Sequence, residues 1–201
     1  MPHVPCCSLP LPFPVGSPRY TRTCTTVLLQ HGQIVLLLSA AERLREHNLG
    51  ILARLLGDGF DVTVVTTNQP AAILRKTYQR DGVDLARIRF IDAITRYAVG
   101  SSPENSAAER FIASPSDLTE MGIAISEMLK GGSGKRTAVL FDSVSTMLIY
   151  LPSSQISRFI HFVTSKLRIL DIAGIFLAVE KGLDPLLLPQ LTTFVDAVVD
   201  L

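Results

Sequence analysis

TAVLFDSVSTMLIYL, residues 137–151, changes its periodicity at Asp142. Ala138 to Phe141 follow Thr137 without a polar break, which predicts a strand buried on both faces. Beyond Ser143 the apolar residues recur at helical spacing. A buried strand therefore ends in a carboxylate, at the edge of an open α/β sheet where ligands bind. Asp142 and Ser143 then have two readings. The carboxylate can hold a ligand at the strand end, or the pair can simply start the next helix, since Asp and Ser are favoured N-caps.

The same alternation repeats on either side. Upstream, Ile34 to Leu38 in GQIVLLLS form a short apolar run after Gly32, and SAAERLREHNLGILARLLGDG continues as a helix carrying Leu44, Ile51, Leu52, Leu55 and Leu56. Phe60 to Thr66 is rich in β-branched residues and predicts a strand; Thr67-Asn68-Gln69-Pro70 offers a cap and an early proline for a helix to Arg80. Ile88 to Ile91 is a further strand, the small and polar stretch between Tyr97 and Arg110 an exposed loop, and Ser114-Pro115-Ser116-Asp117 a helix start with Ser114 as cap. Downstream, Ser153 or Ser154 caps a helix whose Ile156, Phe159, Ile160, Val163, Leu167 and Leu170 face the core. Ile175 to Val179 is another buried strand, Asp184-Pro185 opens a short helix, and Ala197 to Leu201 closes the pattern as a strand. Alternation of this kind predicts one α/β domain, with a mostly parallel central sheet and helices on both faces.

Composition agrees with that expectation. Of 201 residues 47% are hydrophobic, 18% charged and 6% aromatic, with no Trp, a mixture suited to a sheet covered on both sides. The net charge of +1 gives no general field for nucleic acid or anionic lipid. The chain contains no apolar run long enough for a membrane span. Six of the twelve prolines lie in residues 1–25, which predicts a loose tail ahead of a domain at 26–201; its LPLPFP core could also serve as a polyproline ligand. The three cysteines, Cys6, Cys7 and Cys24, sit in that tail without metal-ligand spacing, so a reducing, cytoplasmic location is expected.

With two strand-turn-helix units in place, the chain resembles the RecA-like ATPases, and among them the KaiC-like proteins common in archaea. AVLFDSVSTMLIY is similar to a Walker B segment, followed by the helix ISRFIHFVTSKLRILDIAG, the strand IFLAVE and the ending FVDAVVDL. GQIVLLLS and FDVTVVTT sit where that family keeps its phosphate-loop strand and the next one, so the resemblance covers roughly residues 27–201. It implies a three-layer RecA-like domain, and at the strand ends a nucleotide and magnesium site whose remnants would be Asp142, Ser143, Ser39 and Glu180.

The departures from that family bear on function. Where it shows GxxxxGK[ST], whose glycines let backbone amides surround phosphates, this chain reads SAAERLREHN, with no Gly before Gly50 and no Lys. Where a Glu would activate water, it has Thr67-Asn68-Gln69-Pro70. A second glycine-rich stretch, Gly131 to Thr137, has Leu129 and Arg136 at the positions the motif reserves for Gly and Ser or Thr, and it precedes a strand rather than following one. It reads as a helix-to-strand turn.

The other chemistry-bearing residues have bland readings beside sharp ones. His31, His47 and His161 are scattered without ligand spacing, and Ser143 and Ser145 lie in no nucleophile elbow. Glu180-Lys181 ends a strand at the ligand-binding edge, or is a solvated strand end. Glu42, Arg43 and Arg45 form an anion or partner site, or an exposed first helical turn. The expectation is a pseudo-ATPase without cofactor that acts with a protein partner or by self-association as a regulatory or assembly module. The alternative is an ATP- and magnesium-binding domain completed by a neighbouring subunit, with Arg43, Arg45 or Lys181 supplying the missing charge. A receiver-like domain with Asp142 as phosphoacceptor is weaker, because Leu38-Ser39-Ala40 stands where an acidic pair belongs.

Overall fold

A computed structural model describes residues 32–130 and 136–201. The tail, the cysteines, His31 and most of the Gly131 to Thr137 stretch lie outside the described residues.

Seven strands form one sheet: β1 (Ile34–Ser39), β2 (Asp61–Thr66), β3 (Ile88–Asp92), β4 (Glu109–Phe111), β5 (Thr137–Asp142), β6 (Ala173–Val179) and β7 (Ala197–Asp200). Their order across the sheet is β4-β3-β2-β5-β6-β1-β7, and every pairing is parallel. The helices α1 (Leu44–Gly57), α2 (Ala71–Arg80), α3 (Thr95–Val99), α4 (Leu118–Leu129), α5 (Val144–Met147), α6 (Ser153–Ile169) and α7 (Leu187–Thr192) occupy the crossovers.

Strand periodicity sorts the core into two halves. On one face Val35, Leu37, Val62, Val64, Leu140 and Ile175 pack under α1 and α2, through Leu52, Leu55, Leu74 and Tyr78. On the other, Ile34, Leu36, Val65, Val139, Phe141 and Phe176 meet α4, α6 and α7, through Ile125, Ile160, Val163 and Leu191. The continuous apolar runs follow from this double burial, and each such side chain withdrawn from water contributes roughly 1.5–3 kcal/mol. Phe141 and Phe176 stack at 5.9 Å between neighbouring strands. Gly174 permits the approach of α6 to β6, because a Cβ there would stand 2.7 Å from Leu167 Cδ1.

Four local expectations are corrected. The stretch read as a loop between Tyr97 and Arg110 contains the end of α3 and the start of β4; β4 is a three-residue edge strand, fixed by its pairing with β3 and by the 3.0 Å Arg75–Glu109 ion pair, too short to show a period. The cap of α4 is Asp117, whose carboxylate accepts from Glu120 N at 2.8 Å, while Ser114 Oγ is spent on the preceding turn, where it accepts from Ser116 N. Helix α6 has no side-chain cap, since Ser153 Oγ donates to the Asp184 carboxylate. Leu170 lies past the end of α6 and is 45% exposed.

Candidate functional site

The carboxyl ends of the strands form one edge, and it gathers the residues singled out in the sequence. β1 leaves the sheet at Ser39, and a single residue, Ala40, separates it from the tight 3-10 turn Ala41–Arg43 that runs into α1. Ser39 is fully buried. Its Oγ donates to Ala40 O at 2.9 Å and lies 2.8 Å from His47 Nδ1 on α1. The hydroxyl has one proton, so when Ala40 takes it, the imidazole must supply the hydrogen from Nδ1. Burial, and then the Arg43 guanidinium, lower the His47 pKa, which favours the neutral ring this bond uses. Arg43 itself pairs with Glu46 at 3.2 Å, and Arg45 is exposed.

β6 ends in a second 3-10 turn, Glu180–Gly182, packed against the first. Glu180 and Lys181 are both exposed there. Ser145 Oγ accepts from Val179 N at 2.8 Å and so ties the exit of β5 to that of β6.

Asp142 stands between these features and is 3% exposed. Desolvation pushes its carboxyl up to about 6, against the opposing pull of a hydrogen bond with the Asn68 side chain. Its Oδ1 has no hydrogen-bond partner among the described residues. The backbone around it is firmly held: Asp142 O accepts from Thr67 N at 2.8 Å, and Ser143 O from Thr67 Oγ1 at 2.9 Å. Ser143 Oγ accepts from Thr146 N and caps α5, so of the two sequence readings Ser143 follows the cap and Asp142 does not. The Asp142–Ser143 peptide bond is cis.

The face of the sheet that carries Asp142 is the one covered by α1 and α2. There Tyr78 donates its hydroxyl to Asn48 Oδ1 at 2.7 Å, while Asn48 Nδ2 is buried and has no acceptor among the described residues. Burial raises the Tyr78 pKa, and the Asp142 charge raises it further, which puts the two groups within electrostatic reach. A donor and an acceptor are thus both left over beneath the same two helices.

Asp92 escaped the sequence reading. It ends β3 as Asp142 ends β5, and IRFID beside TAVLFD was the signal. Its carboxylate accepts from Ala71 N, Ile94 N, Thr95 N and Thr95 Oγ1 at 2.6–2.8 Å, and so caps α2 from a neighbouring strand. Within Thr67-Asn68-Gln69-Pro70, the stretch expected to supply that cap, the Thr67 hydroxyl is used on Ser143 O instead. The structure therefore brings Ser39, Asp142, Ser143 and Glu180 to one edge; His161 lies elsewhere, its ring tilted against Phe194 with centroids 4.9 Å apart. Among the described residues no three His, Cys, Asp or Glu side chains come together as a metal cluster. No helix there is long and apolar enough to cross a membrane.

The all-parallel sheet, with an Asp-terminated strand at its centre and helices on both faces, is an α/β fold similar to that of KaiC-like proteins. The chain belongs to the family of unknown function DUF7504, which it matches over residues 34–201. Its fold is similar to that of the uncharacterised protein PH0321 from Pyrococcus horikoshii, whose crystal structure is in complex with an unknown peptide (TM-score 0.67, 15% identity, 86% of this chain and 78% of that one). It is also similar to the KaiC-like protein PH0186 from the hyperthermophilic archaeon Pyrococcus horikoshii OT3 (TM-score 0.57, 15% identity, 85% of this chain and 72% of that one). At such identity the likeness concerns the fold. No curated protein matches the chain in sequence.

Proposed function

We propose that this domain is a pseudo-ATPase, a RecA/KaiC-like scaffold that works through protein contacts as a regulatory or assembly module in the cytoplasm. The observation that carries this reading is the exit of β1. A phosphate loop needs a wide turn whose amides converge on the ligand. Here one residue joins strand to turn, and the Ser39–His47 bond closes the gap. The donors for magnesium do not fit either: Ser39 and Ser143 have their hydroxyls engaged, and of the two carboxylates Asp142 is buried while Glu180 is exposed on the turn after β6. The peptide bound to PH0321 supports a protein or peptide as the partner of this fold.

The test is a magnesium-dependent ATPase assay on the purified chain and on Asp142→Ala. The reading expects no turnover in either, and hydrolysis that disappears with the substitution contradicts it.

The buried, half-satisfied Asp142 favours a second reading, a divergent nucleotide site completed by a neighbouring subunit. Arg43, Arg45 and Lys181 then supply the charge. ATP affinity unchanged after replacing all three by Ala counts against it.

A further inference from the structure

Beneath α1 and α2, on the face of the sheet that carries Asp142, two buried side chains each keep one polar atom unused. Asn48 on α1 is 4% exposed and Asp142 at the end of β5 is 3% exposed. Asn48 Nδ2 and Asp142 Oδ1 have no hydrogen-bond partner among the described residues. Each group is otherwise held: Asn48 Oδ1 accepts from the Tyr78 hydroxyl at 2.7 Å, and the Asp142 carboxyl is hydrogen-bonded to the Asn68 side chain. Tyr78, fully buried on α2, is bonded to Asn48 and also feels the Asp142 charge, which places both orphans around one hydroxyl. Their senses are opposite, because the amide nitrogen can only donate and an ionised carboxylate can only accept. Native interiors satisfy such atoms, and where the protein supplies no partner an ordered water does.

We propose that an internal water joins the two, accepting from Asn48 Nδ2 and donating to Asp142 Oδ1, and so ties α1 to the exit of β5. The chemistry selects water over other occupants. A cation suits the carboxylate but sets a positive charge against the amide hydrogens, and an anion does the reverse. A larger organic molecule needs room, and the same half of the core is filled by Leu52, Leu55 and Leu74. Water carries donor and acceptor on one atom and asks for two to four polar partners. Tyr78 Oη, its proton given to Asn48, keeps acceptor capacity as a third. The bridge also has a direction. It donates to an ionised Asp142, whereas a protonated Oδ1 takes that acceptor away, so the water works against the desolvation that favours the neutral carboxyl. The inference goes beyond the pseudo-ATPase reading and is tested without nucleotide.

A crystal structure of the full chain, at a resolution that shows ordered water, reads the bridge directly and needs no variant. One water within hydrogen-bond distance of both Asn48 Nδ2 and Asp142 Oδ1 is expected; a direct bond between the two side chains, or either atom facing no water, overturns the inference. NMR titration of the Asp142 carboxyl carbon in the parent, Asn48→Leu and Tyr78→Phe separates the bridge from the packing of the helices. Both variants lose the bond between Tyr78 and Asn48, but only Asn48→Leu removes the donor that orders the water. The Asp142 pKa should rise by about one unit in Asn48→Leu, a roughly tenfold gain in proton affinity, and should stay at the parent value in Tyr78→Phe. No rise in Asn48→Leu overturns the inference, as does an equal rise in Tyr78→Phe.

Discussion

Asp92 and Asp142 end the two strands that flank β2, both in register with Thr66, yet one carboxylate is saturated with hydrogen bonds and the other is starved. Both are buried on the face covered by α1 and α2. The difference lies in what descends on them. The first turn of α2 and the start of α3 bring amides to Asp92, whereas no donor among the described residues reaches Asp142 Oδ1.

For Asp142 the consequence is a stability that depends on pH. Its folded pKa of about 6 lies above the ordinary 3.8, so the folded protein holds the proton more tightly than the unfolded chain. The contribution is full below 3.8 and is lost as pH rises through about 6. A displacement of that size is worth roughly 3 kcal/mol. Asp142→Asn removes the charge at constant shape and should raise the unfolding free energy at about pH 8 by up to that amount, with little gain at about pH 4. Urea unfolding at both pH values checks it, and equal effects at the two would refute the assignment.

Replacing Asp92 should destabilise the fold rather than stabilise it. Asp92→Ala strands the amides of Ala71, Ile94 and Thr95 in the interior and should cost about 3 kcal/mol or more. Asp92→Asn keeps part of the acceptor capacity and should fall between. Midpoints of urea denaturation rank the three proteins, and a loss below about 1 kcal/mol for the alanine variant would mean that α2 is capped by other means.

The burial of His47, and then the Arg43 guanidinium beside it, predict a second, reversed pH dependence. The folded pKa of His47 is depressed below 6.5, so its contribution is present above that value and is lost as pH falls. His47→Gln should flatten this part of the profile, and Ser39→Ala should cost on the order of 1 kcal/mol. Because Asp142 titrates nearby with the other sign, each variant is read as its difference from the parent at matched pH.

Much of this was legible in the sequence where double burial wrote it plainly. The runs in β1, β2, β5 and β6 are apolar at consecutive positions because helices cover both sides, and the helix faces of α1 and α6 followed from period. β4 was not legible, since three residues at a sheet edge carry no period and only their partner defines them. Caps failed for a related reason. The amide at the start of α2 is satisfied by Asp92, 21 residues away along the chain, and no local motif reports such a bond. Within the site, Asp142 and Ser39 could be named from position, whereas His47 could not, because its partner lies across a turn whose tightness the sequence does not show. Asp92 could have been named by the rule that found Asp142.

In the proposed pseudo-ATPase the β1 exit is closed where nucleotide phosphates would sit. Calorimetric titration of the purified chain with ATP and magnesium, repeated with Asp142→Ala, tests it most directly. A closed β1 exit gives no heat of binding at millimolar nucleotide and no thermal stabilisation of either protein. Micromolar binding, on the order of 8 kcal/mol, that the substitution weakens would contradict it and leave the edge an operating nucleotide site.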